Sequence, residues 1–296
     1  MSFVFSKEVQ DNLKSNQSIV ALESTVITHG LPQPANLELA FKLEALIQEQ
    51  GAIPATLALI DGQIHIGLDE EQLHKLATAP NTKKVSSRDI AAAVVQGSSG
   101  GTTVAATLRL AEAAGIQVFA TGGIGGVHRG SDWDVSADLL ELSQRAVICV
   151  CAGAKAILDL PATLEQFETL GVPVLGYQTD QFPAFYSRQS GLPVSMTVND
   201  LDEVAAFAKA HWELGGKGIL LTNPIPVKDE IPSTRVEAWI NIALTDLDRE
   251  DIHGPASTPF LLKRLGEISG GETLKSNLAL LENNAKLAAQ LAPILK

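Results

Sequence analysis

Ala146–Tyr177 reads AVICVCAGAKAILDLPATLEQFETLGVPVLGY, two apolar runs separated by a helix-compatible stretch. The run Ala146–Gly153 predicts a buried strand, Thr163-Leu-Glu-Gln166 a capping box that opens a helix, Gly171 its stop, and Val172–Tyr177 a second strand. Strand, helix and strand in so short a span make a βαβ unit with two parallel strands.

The same alternation runs outward in both directions. Upstream, Ser18–Ser24 (SIVALES) predicts a strand, followed by the loop HGLPQP and a helix from about Ala35 to Gln50, with Gly51 placed to end it. In ATLALIDGQIHIGL the pair Asp61-Gly62 lies between alternating apolar positions, which predicts a tight hairpin and therefore a mixed sheet. From Lys83 the chain predicts a strand (KKVSS), a helix, a loop GSSGG, a helix TTVAATLRLAEAAG capped by Thr102 or Thr103, and the strand IQVFATGG. Downstream come a helix over Leu201–Leu214, the strand GILLTNPIP and mostly helical sequence to the C-terminus. The class is α/β, and with no repeat, low-complexity segment or linker the expectation is one domain over residues 1–296.

Composition narrows the functions. The 296 residues are 45% hydrophobic with a formal net charge of −12, which argues against an extended basic face for polymeric nucleic acid. Cys149 and Cys151 lie two apart in an apolar run and read as small core residues rather than a zinc site or disulfide framework. The stretch MSFVFSKEVQDNLKS has no basic segment leading into an apolar block, and no run reaches membrane-spanning length, so the expected location is cytoplasmic.

Candidate chemistry concentrates in Thr121–Lys155, which holds the glycine loop TGGIGGVHRG, His128, the triplet Asp134/Ser136/Asp138 and Lys155. Lys155 follows an apolar strand, where open α/β sheets gather ligands; a desolvated amine there has a lowered pKa and can attack a sugar aldehyde. A surface lysine opening a helix is the competing reading. Glu23 ends another buried strand, and burial would raise its pKa toward the range of a general acid or base; a paired strand-end glutamate is the alternative. Asp134, Ser136 and Asp138 can converge on a hard divalent cation, or Asp134 or Ser136 can simply cap the helix ADLLELSQR. His128 suits a proton shuttle or an anion contact as well as a structural role. Lys84, with Arg88 one turn on and a glycine loop leading into a helix, makes a reasonable monophosphate site. The GGIGG pattern lacks the spacing of a dinucleotide fingerprint.

Taken together, ALESTVITHGLPQP, KVSSRD, TTVAATL, TGGIGGVHRG, DVSADL, CAGAK, GVPVLGYQTD, TNPIP and SNLALLENNAKLAAQLA resemble, in order and along essentially the whole chain, the pseudouridine-5′-phosphate glycosidase family, also described as indigoidine synthase A-like. The resemblance implies a three-layer α/β/α fold with a mixed, mostly parallel central sheet, a homotrimer, and a divalent metal, usually Mn²⁺. It implies reversible cleavage of pseudouridine 5′-phosphate to uracil and ribose 5-phosphate, in pseudouridine degradation. On that resemblance Lys155 is the nucleophile, Glu23 the proton donor and Asp134 the metal-associated aspartate. Lys84 (or its neighbour Lys83), Val104, Thr121, Ser136, Ala137 and Asp138 are substrate contacts, with His128 and Asn277 as further active-site positions. The loop Ser131-Asp132-Trp133 before Asp134 is shorter than in some relatives. A lysine Schiff-base aldolase or lyase acting on a sugar phosphate, and a non-catalytic domain sensing a nucleotide or sugar phosphate, are the competing functions.

Overall fold

The computed structural model describes residues 3–15, 18–130, 134–252 and 254–295; the short loop Ser131–Trp133 lies outside them. The strands are β1 (Phe3–Phe5), β2 (Ile19–Leu22), β3 (Ile53–Ile60), β4 (Gln63–Ile66), β5 (Lys83–Val85), β6 (Gly100–Thr102) and β7 (Val118–Ala120). They continue as β8 (Val127–His128), β9 (Ile148–Cys151), β10 (Leu158–Asp159), β11 (Val174–Tyr177), β12 (Met196–Val198) and β13 (Ile219–Thr222). One sheet runs in the order β1-β4-β3-β2-β7-β9-β13-β11-β12, with β5 and β6 attached through β3, while β8 and β10 form a separate ribbon. From β3 through β2, β7, β9, β13 and β11 to β12 every pairing is parallel. The antiparallel members are the β3–β4 hairpin and the β3–β6 pair. Asp61 and Gly62 turn that hairpin with positive φ, as their sequence predicts.

The central strands β2, β7, β9 and β13 are buried at every position, the mark of parallel strands covered on both faces. The helices are α1 (Lys7–Lys14), α2 (Ala35–Glu49), α3 (Glu70–Thr78), α4 (Ile90–Val95), α5 (Val104–Ala113) and α6 (Ala137–Gln144). The remainder are α7 (Leu160–Leu170), α8 (Leu201–Glu213), α9 (Ser233–Arg249), α10 (Ser257–Ile268) and α11 (Glu272–Leu291). α11 packs on α2 and α5 on α6, and both α11 and α5 lie against β2 and β7, so the sheet is sandwiched between helices. Cys149 and Cys151 are fully buried core thiols. No helix among the described residues is long and apolar enough to cross a membrane.

Three local expectations are corrected. GSSGG is not wholly a loop: Gly100 and Gly101 form β6 with Thr102, and a side chain at Gly101 would run into the Ser24 carbonyl and the Thr28 hydroxyl. The capping box is not at Thr163, because Asp159 caps α7 by accepting the Ala162 N–H at 3.0 Å. Thr163 lies one turn inside, donating to the Asp159 carbonyl at 2.6 Å and accepting the Val127 N–H at 3.0 Å. Finally, Lys155 does not open a helix: a turn and β10 separate it from α7.

Candidate active site

The parallel strands β2, β7 and β9 end on one side of the sheet, and a cavity of about 520 Å³ opens there. Glu23, Lys84, Val104, Thr121, His128, Asp134, Ser136, Ala137, Asp138, Lys155 and Asn277 all line it, so every site residue expected from the sequence reaches one space. A separate polar hollow of about 360 Å³, beside Gln178, Asp180, Arg188 and Asn199, contains none of them. Its side chains are already bonded to neighbouring backbone: Gln178 donates to the Asn199 carbonyl, and Arg188 to that of Ile225.

Glu23 leaves β2 next to a bolt in the core. The Ser24 hydroxyl donates to the Leu57 carbonyl at 2.5 Å and accepts the Thr102 N–H at 3.0 Å, tying β2, β3 and β6 together. The chain then makes a π-helical turn over Val26–Gly30, a winding concentrated at functional sites. Glu23 itself receives the Thr121 hydroxyl at 2.6 Å. Burial pushes its carboxyl pKa up, against the opposing pull of Lys155 and the Thr121 hydrogen bond. Glu23 and Lys155 do not end adjacent strands; β7 lies between them and supplies Thr121.

Lys155 is held through its backbone: its N–H donates to the Ile124 carbonyl at 3.0 Å and its carbonyl accepts the Leu158 N–H at 3.0 Å. Among the described residues its side chain makes no hydrogen bond or ion pair. Strand alternation separates the two candidate phosphate lysines. Lys84 turns into the cavity, where burial and Lys155 lower its pKa, whereas the Lys83 ammonium goes to the Gln96 side chain at 2.6 Å.

All three of Asp134, Ser136 and Asp138 line the cavity, and the last two are bonded to backbone N–H groups. Asp138 is buried, its Oδ1 accepting the Ala105 N–H at 2.9 Å and its Oδ2 the Gly125 N–H at 2.7 Å. The Ser136 hydroxyl caps α6 by accepting the Asp138 N–H at 3.2 Å. A side chain at Gly125 would strike Ser136 and Asp138, so the GGIGG glycines serve close packing. The start of α5 is also less open to an anion than expected. Asp138 takes the Ala105 N–H and the Thr103 hydroxyl the Ala106 N–H, which leaves Val104 facing the cavity.

Asp134 is bonded to His128 of β8. The His128 N–H donates to its carbonyl at 2.9 Å, which brings the Asp134 carboxylate to 4.0 Å from His128 Nδ1. Burial lowers the His128 pKa, with Asp134 opposing. Among the described residues no three His, Cys, Asp or Glu side chains gather as a metal cage. One carboxylate and one imidazole at the mouth suit a hard cation that keeps most of its waters, so the donor set fits Mn²⁺ or Mg²⁺ bound largely through water.

Some lining residues carried no distinct signal in the sequence. His29 sits in the π-helical turn with Nδ1 2.7 Å from the Thr28 hydroxyl, its pKa lowered by burial and by Lys84. Phe185 adopts φ 63° against Gly123, where only a residue without Cβ fits the ring. Thr258, Pro259 and Leu262 of α10 close the cavity from a distant part of the chain.

Comparison with known proteins follows the same outline. Residues 8–293 match the family described as indigoidine synthase A like protein. The chain is 53% identical to the pseudouridine-5′-phosphate glycosidase of Herpetosiphon aurantiacus, covering 98% of this chain and 96% of that one. It is 49% identical to the protein of that name from Caldanaerobacter subterraneus subsp. tengcongensis, over 97% and 94%. Among solved structures, an indigoidine synthase A-like protein from Thermotoga maritima superposes with a TM-score of 0.88 at 38% identity, over 93% of this chain and 92% of that one. The prealnumycin C-glycosynthase AlnA, in complex with ribulose 5-phosphate, superposes with a TM-score of 0.91 at 41% identity, over 99% and 96%. The chain belongs to the indigoidine synthase A-like family.

Proposed function

We propose that this enzyme reversibly cleaves the C1′–C5 bond of pseudouridine 5′-phosphate, giving uracil and ribose 5-phosphate. The observation that carries the reading is the meeting, in one cavity, of Lys155, whose side chain makes no hydrogen bond or ion pair among the described residues, and Glu23, whose carboxyl pKa desolvation raises. Relatives about half identical over nearly their full length bear the glycosidase name, which supports the same substrate here.

The bond is a carbon–carbon link with no heteroatom leaving group, so protonating an exocyclic oxygen, as in an ordinary glycoside, has no counterpart. In the proposed sequence a proton reaches the ribose ring oxygen, the C1′–O bond opens, and the Lys155 amine adds to C1′. Glu23 then donates a proton to uracil C5 as the C1′–C5 electrons leave with the base, and the nitrogen lone pair forms the C1′=N⁺ iminium. Water adds to C1′ and the C–N bond breaks, releasing ribose 5-phosphate and the lysine. Lys84 binds the phosphate. His128 and Asn277 bind the remaining polar groups; Asn277 makes no side-chain hydrogen bond among the described residues. Asp134 and His128 would hold the divalent cation, whose charge would orient phosphate or water at the cavity mouth.

A homotrimer is part of the same reading, supported by the family resemblance and by the exposed apolar side chains of Val135, at the cavity, and Leu140, on α6. The ribulose 5-phosphate bound to AlnA favours a second reading, C–C bond chemistry on a different sugar phosphate. Uracil release from pseudouridine 5′-phosphate, assayed with and without Mn²⁺, separates the two. Borohydride added during turnover should leave a sugar adduct on Lys155; turnover with no adduct there would remove the iminium step.

A further inference from the structure

Asn284 is fully buried in the middle of α11, in line with Leu280, Leu287 and Leu291 on the apolar stripe of that helix. A carboxamide left unbonded there would forfeit its hydration with nothing in return, and here it bonds at both ends. Its Nδ2 donates to the Thr121 carbonyl at 2.8 Å and to the Gly122 carbonyl at 3.3 Å, and its Oδ1 accepts from Asn223 Nδ2 at 3.1 Å.

Each partner sits at a strand end. Thr121 follows β7, its N–H donating to the Val150 carbonyl of β9, and its hydroxyl donates to Glu23 beyond β2. Asn223 follows β13, and its N–H donates to the Cys151 carbonyl at 2.8 Å, at the end of the strand that leads to Lys155. A polar crossbar therefore spans the carboxyl ends of β2, β7, β9 and β13, with Asn284 at its middle.

We propose that Asn284 is a positioning residue: acting through Thr121, it sets where the Glu23 carboxyl stands relative to Lys155 during proton transfer. The inference rests on the roles given to Glu23 and Lys155 in the glycosidase reading. The Gly122 carbonyl also accepts the Ala152 N–H at 2.9 Å, so a core leucine at position 284 would extend the apolar stripe but leave the Thr121 carbonyl unpinned, and Thr121 would no longer hold its hydroxyl in a fixed direction.

The consequence is directional. Glu23 is faced by Lys155 beyond β9, Lys84 from β5, Asp138 from α6 and the Thr121 hydroxyl after β7; the lysines and the hydroxyl favour its charged form, while burial and Asp138 disfavour it. A loosened Thr121 withdraws one stabilising contact, and the Glu23 titration moves upward.

The test uses Asn284→Leu with two readouts: the pH profile of uracil release from pseudouridine 5′-phosphate, and ¹³C NMR titration of the Glu23 carboxyl, assigned with Glu23→Gln. The expected result is kcat down roughly tenfold or more with KM changed less than about twofold, and the Glu23 titration displaced upward. An unmoved titration, whatever the rate, overturns the proposal. If Asn284→Leu does not fold, Asn223→Ala removes the donor to Asn284 Oδ1 and is read by the same criterion. Wild-type protein that releases no uracil defeats the glycosidase reading, yet the NMR titration still reads the crossbar.

Discussion

Asp138 reaches from the first turn of α6 to the first turn of α5, its Oδ1 accepting the Ala105 N–H at 2.9 Å. With Oδ2 on the Gly125 N–H at 2.7 Å, the carboxylate fastens the glycine loop to a helix N-terminus. Such a contact satisfies an orphan donor and opposes the positive end of the helix dipole.

Asp138→Ala should therefore destabilise the fold as well as the site. A buried and a half-buried N–H lose a charged acceptor, a loss of roughly 2–4 kcal/mol. Urea denaturation should show this loss equally with and without Mn²⁺. A loss that vanished on removing the metal would make Asp138 a ligand instead of a cap.

Adjacent lysines on β5 should part company. Lys84→Ala is expected to raise KM for the phosphorylated substrate by about tenfold or more, the scale of one charge-assisted phosphate contact. Lys83→Ala removes only a bond to Gln96 on the far side of the strand, so its kinetics should stay within about twofold of wild type. Steady-state kinetics on the two variants check both, and equal effects would contradict the orientation of β5.

Much of this site was legible because strand ends are legible. Apolar runs located Glu23 and Lys155 at or beyond the carboxyl ends of strands, and parallel strands bring those ends to one side of a sheet; Lys84, inside β5, enters the cavity from within its strand. Interactions between elements distant in sequence were hidden. The alternation Asp134/Ser136/Asp138 was equally compatible with a metal cluster and with a cap, and the choice was made by Ala105 and Gly125, which no local pattern connects to Asp138. Gly100 and Gly101 read as loop because glycine disfavours strands; the close approach of Lys83 and Val85 at the first and of Ser24 and Thr28 at the second requires them there. Asn284 was hidden too: the polar residues of α11 other than Asn277 read as solvent-facing, and only the partners at the ends of β7 and β13 explain why this one is buried. The roof supplied by α10 left no mark either, since its Thr258 and Leu262 read as ordinary helix positions.

Glu44 offers a stability measurement away from the cavity. It lies between α2 and β3, receives the Thr56 hydroxyl at 2.5 Å, and burial pushes its carboxyl from 4.5 up to about 7. The folded state therefore holds a proton that the unfolded chain releases. Below pH 4.5 the group is protonated in both states and costs nothing; between 4.5 and about 7 stability falls as pH rises, and above that the full cost applies. Glu44→Gln keeps an acceptor for Thr56 and removes the titration. It should leave stability near wild type in acid and raise it by roughly 2–3 kcal/mol in mild alkali. Denaturation at the two pH extremes decides the matter, and a benefit confined to acid would reverse the sign.

The cation reading depends on one carboxylate, which makes it sharp. Asp134 pairs with His128 across 4.0 Å, whereas Asp138 is committed to backbone N–H groups. A hard divalent ion bound mostly through water gains most from formal negative charge, so Asp134→Asn should weaken Mn²⁺ binding by about tenfold or more. Mn²⁺ titration followed by electron paramagnetic resonance measures this without turnover. In the same experiment Asn277→Ala, which removes no charge, should bind Mn²⁺ as wild type does. Unchanged binding in Asp134→Asn would move the ion elsewhere in the cavity.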